Sequence, residues 1–261
     1  MKQYGSVERM SYGEDMTDRL PDGALYIDRQ DELELGDAIY AAIKENVTIE
    51  SAPWAIERVN RIMTRFAKVR GKQDEFVVVI PWTQNDYSAY TAPGRYIFFS
   101  RNLFQRCSSD DMAALVIAHE MAHHDLGHTT LVRTWFSRAA HLPFKVLVSG
   151  LYRLAEKSIY GPERERDADR LALELCVAAG YDGEKCISFF DIMEQIYLDW
   201  RDIDGVHGPD EVYDDLTGNT SWSSKIRIWL HQRQRGYHSV RDRKQMLLQH
   251  FAQMSRRGGS A

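Results

Sequence analysis

The chain has 261 residues, 44% of them hydrophobic, and a formal net charge of −5. That is enough apolar material for one large core, and the acidic balance speaks against nucleic acid, which normally demands a basic face. Three cysteines, Cys107, Cys176 and Cys186, make neither a disulfide framework nor a paired zinc-thiolate spacing, so a reducing, cytoplasmic setting is expected.

Residues 1–30 are rich in charge and Gly without an apolar run, and read as a loosely ordered N-terminal arm, neither signal peptide nor membrane anchor. Residues 31–250 read as a single domain and 251–261 as a C-terminal tail. No stretch approaches the roughly 20 apolar residues that span a bilayer. From Glu32 to Val69 apolar residues recur at helical spacing, which predicts two helices divided near Ser51 and Pro53. Phe76 to Ile80 is rich in β-branched residues, and Tyr96 to Phe99 follows Pro93-Gly94, so both read as strands of a small sheet. Ser108-Ser109-Asp110 then supplies helix N-cap chemistry ahead of a long apolar stretch.

That stretch ends in His119-Glu120-Met121-Ala122-His123. Two imidazoles four residues apart face the same way on a helix and can share a metal ion, with the carboxylate of Glu120 beside them as a general base. Catalytic zinc takes three protein ligands and keeps one position open for water, so a third ligand is needed. The completion HExxHxxGxxH fails, because Gly127 and His128 are both out of step. His124 and His128 are therefore extra histidines, read as core or pocket residues.

Between Leu131 and Tyr160 lies a segment of net charge +4, from five cations and the single acid Glu156. Its stripe of Phe144, Leu147, Val148, Leu151, Tyr152 and Ile159 fits a basic amphipathic helix in peripheral contact with a membrane surface. It fits equally a core-packing helix with a basic outer face, the ordinary condition of globular helices.

The next helix is announced by Gly161-Pro162, acidic residues in its first turn, and an apolar face through Leu171, Leu175 and Ala178. Glu165 within it matches the second-helix carboxylate of a His-His-Glu zinc site. Glu163 and Asp167 are competing carboxylates, but acids in a first turn are also what the helix dipole favours.

HExxH followed by Glu165-Arg166-Asp167-Ala168-Asp169 resembles metallopeptidase family forty-eight, which includes the CAAX prenyl proteases and the HtpX-like heat-shock proteases. The resemblance runs from near Phe76 to Leu175. It implies a gluzincin-like α+β fold, mainly helical with a small mixed sheet. It also implies Zn²⁺ as cofactor, Glu165 as third ligand and Asp169 as the carboxylate that orients a ligating histidine. A ligating imidazole usually donates its other N–H to such a partner, which fixes its tautomer. Where members of that family often carry Asn-Ala before the Pro-Gly, this chain has Ser88 and Ala89. Downstream, the stretch Asn219 to Leu230 lacks the family's His-Pro, and no residue is carried over from it.

Further helical patterns lie at Ile187 to Trp200 and Lys225 to Arg233, separated by an acidic, Gly-rich loop. His207 in that loop is a weak candidate for stabilising the oxyanion, and solvation alone accounts for it as well. Together these readings describe a zinc metalloendopeptidase acting on proteins or peptides. His119, His123 and Glu165 hold the metal, Glu120 is the catalytic base, and a strand at Ser88, Ala89 and Tyr90 receives an extended substrate by β-augmentation. The alternative is a zinc-stabilised, non-catalytic binding or chaperone-like protein with the same fold, for which Glu120 would have no use. Because imidazole must be neutral to bind metal, zinc affinity is expected to fall below about pH 6.

Overall fold

A computed structural model describes residues 29–71, 75–82, 86–129, 162–203 and 240–258. Residues 1–28 of the N-terminal arm, the basic segment 131–160, the loop with His207 and the pattern at 225–233 lie outside the described residues.

The described chain runs α1 (Arg29–Asn46), β1 (Thr48–Ile49), α2 (Pro53–Arg70), β2 (Val77–Val79), β3 (Pro81–Trp82), β4 (Ala89–Thr91), β5 (Tyr96–Phe99), α3 (Arg101–Arg106) and α4 (Asp110–Asp125). It continues with α5 (Pro162–Ala178), α6 (Gly183–Ile187), α7 (Phe189–Ile203) and α8 (Val240–Gly258). This is the expected α+β, mainly helical architecture with small mixed sheets. The two early helices fall where the periodicity places them, α2 opening on Pro53 and closing on Gly71 in the left-handed region at φ 66°. Strand β1 between them was not foreseen. It makes only a two-residue antiparallel ladder with β3, too short for a period-2 pattern to register. Ile187 to Trp200 divides at Ser188 into α6 and α7, and α8 carries residues 251–258, expected as tail, as its last turns.

The main sheet has the order β2-β5-β4, with β5 parallel to β2 and antiparallel to β4. All four residues of central β5 are buried, since both faces are covered. Alternation sends Tyr96 and Phe98 toward Ile39 and Ile43 of α1, and Ile97 and Phe99 toward the main core. At the β4–β5 turn Gly94 adopts φ 88°, and its N–H donates to Glu32 Oε1 of α1 at 3.2 Å.

Helix α4 is the centre of the molecule. Every residue from Ala113 to His124 is buried, which explains why Ala113 to Ala118 is an unbroken run of apolar and small residues with no polar face, and why the histidines and the glutamate that follow are buried polar groups. It packs against α5 most extensively, and also against α2, α6, α7, β4 and β5. Ser109 caps it by accepting the Met112 N–H at 3.3 Å, as the Ser-Ser-Asp signal predicts. Helix α2 holds both ends. Arg58 donates to Asp110 at 2.9 Å and to the carbonyls of Phe104 and Cys107 at 3.0 and 2.7 Å, while Arg70 donates to Asp125 at 2.8 Å. The histidine-bearing turns are thereby fixed along the helix axis as well as around it.

Candidate metal centre

His119 and His123 lie one turn apart near the C-terminal end of α4 and converge, Nε2 to Nε2, at 3.0 Å with their rings almost perpendicular. Helix α5 crosses here and brings a single carboxylate to both. Glu165 Oε2 is 3.4 Å from His119 Nε2 and Glu165 Oε1 is 3.5 Å from His123 Nε2. All three side chains are buried and could hold a metal ion. Their donor atoms suit zinc in type, two imidazole nitrogens 3.0 Å apart and a carboxylate with one oxygen 3.4 Å from the first and the other 3.5 Å from the second, and one donor atom from each lies within 4.8 Å of the others. A tetrahedral ion with ligand bonds of about 2.0–2.1 Å requires edges of about 3.3 Å.

The other expected residues fall around this cluster. Glu120 is buried on α4 next to His119. Asp169, one turn along α5 from Glu165, sets Oδ1 3.0 Å from His119 Nδ1, an ion-pair contact rather than an aligned hydrogen bond. Glu163 and Asp167, the competing carboxylates, are exposed and pair with Arg166 and Arg170 on their own helix.

One residue at the site, Arg243, escaped the sequence reading. Arg243 of α8 donates from Nε and Nη2 to the two oxygens of Asp169, each at 2.7 Å, and its Nη2 is 3.3 Å from Glu165 Oε2. A bidentate guanidinium is the strong form of such a contact. It lies 74 residues from Asp169 in a helix with no motif of its own, so no local pattern could point to it. His128, read from the sequence as a core or pocket histidine, is buried beside the cluster. Its Nδ1 lies 2.9 Å from His123 Nδ1, on the side of the ring away from Glu165. His124, the other extra histidine, contacts Thr91 Oγ1 of β4 and packs against Phe76 at 5.1 Å, tying the edge strand to α4.

The electrostatics follow from these contacts. Burial works against charge on His119, but the Asp169 and Glu165 carboxylates outweigh it and raise the imidazole from 6.5 to about 9. Burial likewise opposes charge on Asp169, and the Arg243 guanidinium with His119 overcomes it, holding that carboxyl below its ordinary value. His128 moves the other way. Burial, the neighbouring His123 and Arg164 together push it down to about 3, so its ring is neutral.

Beside the cluster, β4 occupies an outer position of its sheet. Ser88, just before it, accepts the Ser100 N–H at 2.8 Å and donates its own N–H to Ser100 Oγ at 3.0 Å, while the Ala92 N–H donates to Tyr96 O at 3.0 Å. Antiparallel pairing alternates, so Tyr90 turns its main-chain groups toward Phe98 and those of Ala89 and Thr91 point to the open edge. Among the described residues no strand pairs with that edge.

No curated protein matches the chain. The family model described as Peptidase family M48 matches residues 50–249, a span that takes in α2, the sheet, α4, α5 and Arg243. With that match over most of its length, and a buried His-His-Glu group with the donor chemistry of zinc, the chain belongs to peptidase family M48.

Proposed function

We propose that the protein is a zinc metalloendopeptidase in which His119, His123 and Glu165 hold the metal and Glu120 is the catalytic base. The observation that carries this reading is the convergence of two imidazoles and one carboxylate in a buried site, with a strand edge nearby that no strand pairs with among the described residues. Zinc, when bound, lowers the pKa of water and polarises the scissile carbonyl. Glu120 takes the proton of the attacking water and returns it to the leaving amine. The outward main-chain groups of Ala89 and Thr91 pair with an extended peptide, which gives broad side-chain preference because main-chain hydrogen bonds supply the affinity. Ser88 and Tyr90 use their main-chain groups to hold β4 on β5 and so set the height of that edge.

Asp169 and Arg243 act through His119. The guanidinium fixes the carboxylate, and the carboxylate fixes the imidazole. Replacing Asp169 by Asn removes the charge and is expected to weaken zinc affinity or activity by about 10–100-fold without abolishing either, as for outer partners of metal ligands generally. A neutral result in chelator competition would reduce Asp169 to a structural charge.

The reading is tested by casein or peptide cleavage with and without a chelator. Cleavage should vanish when zinc is removed and return when it is restored. A protein that holds zinc and cleaves nothing would instead be the zinc-stabilised binding protein.

A further inference from the structure

We infer that His128 is the positioning residue for His123: it accepts the His123 Nδ1 proton and thereby fixes the tautomer that presents Nε2 to the metal. The inference rests on the zinc reading above and adds a partner for the second histidine, which Asp169 does not reach.

The placement comes from the way α4 ends. Gly127 takes φ 69°, its N–H donates to His124 O at 3.0 Å, and the His128 N–H donates back to His123 O at 2.9 Å. These two bonds make a Schellman motif, in which the second residue past the helix returns over the residue that begins the last turn. Usually that return closes an apolar contact. Here it closes a contact between two buried imidazoles, with ring centroids 5.1 Å apart.

The direction of the hydrogen bond follows from the donor inventory. Two Nδ1 atoms 2.9 Å apart can bond only if one carries a proton and the other does not. His123 Nε2 is the atom that converges on His119 and Glu165, so its lone pair must be free there and its proton must sit on Nδ1. His128 Nδ1 is then the acceptor, and the His128 proton resides on Nε2. The two metal histidines thus have unlike supports, a carboxylate behind His119 and a neutral imidazole behind His123. A neutral acceptor fixes the ring without adding a further buried carboxylate to a site that already contains Glu165 and Asp169, whose extra charge would be costly to bury.

Two variants separate this role from packing. His128→Leu fills similar space without an acceptor, whereas in His128→Asn the amide oxygen can take the place of Nδ1. Zinc affinity is read by chelator competition, alongside the melting temperature of each metal-free protein. The expected result is zinc binding weakened by about 10–100-fold in His128→Leu, the range for outer partners of ligating histidines, and largely recovered in His128→Asn. Equal affinity in wild type and His128→Leu, or equal loss in both variants, would overturn the inference. If His128→Leu does not fold, long-range proton–nitrogen correlation on the zinc-loaded wild type decides. A proton on His128 Nε2 supports the inference and one on Nδ1 overturns it. Wild-type protein that fails to bind zinc defeats the metallopeptidase reading itself, whereas tight wild-type binding unaffected by His128→Leu defeats only the role of His128.

Discussion

Glu120→Gln will retain zinc and fold while losing about two to four orders of magnitude in peptide hydrolysis, the usual worth of a positioned general base. The substitution removes a charge and a basic oxygen but keeps the shape of a side chain buried in the C-terminal half of the central helix. Glu120 is not one of the three groups that converge as ligands, so metal binding should survive. Circular dichroism, zinc content and cleavage rate of the two proteins in parallel provide the check. Loss of zinc together with activity would mean that Glu120 is a ligand, and unchanged activity would mean that the base lies elsewhere.

Replacing His119, His123 or Glu165 by Ala should weaken zinc binding by more than about 100-fold, since even an outer partner of a ligand is worth about 10–100-fold. Proton competition gives these residues a second signature. His119 is raised from 6.5 to about 9, so in the metal-free protein its imidazole is protonated at neutral pH and must lose that proton to bind zinc. Affinity should therefore fall as pH drops below about 9, by about tenfold per unit at most, and not only below the ordinary imidazole range. For the metal-free fold the sign is opposite. A raised folded-state pKa stabilises fully below the unfolded value of 6.5, and that contribution is lost as pH rises toward about 9. Calorimetric zinc titration in buffers of different ionisation enthalpy counts the released proton. An affinity flat between pH 7 and 9 would contradict the His119 network.

The division between what the sequence reveals and what it conceals is physical. His119, Glu120 and His123 are readable because helical periodicity brings neighbours in sequence together in space. Glu165 and Asp169 are readable because one helical turn separates them and the ExxAD pattern marks them. Arg243 is hidden, since its contact with Asp169 spans 74 residues and depends on how α8 packs across α5. His128 lies between these cases. Its register does not suit a ligand, but Gly four residues and His five residues after His123 are the spacing by which a Schellman end folds a side chain back on the helix. The strands β2 and β5 were legible from β-branched and aromatic runs, whereas β1 and β3 gain their pairing only from the tertiary fold.

If His119, His123 and Glu165 are the ligands, one zinc ion sits among these three side chains. Anomalous scattering at the zinc edge from crystals of the zinc-loaded protein tests it most directly. A single peak is expected within about 2.0–2.2 Å of His119 Nε2, His123 Nε2 and a Glu165 carboxylate oxygen, the bond lengths of protein zinc. A peak held by His128 or Asp169 in place of any of these, or no peak between α4 and α5, would contradict it.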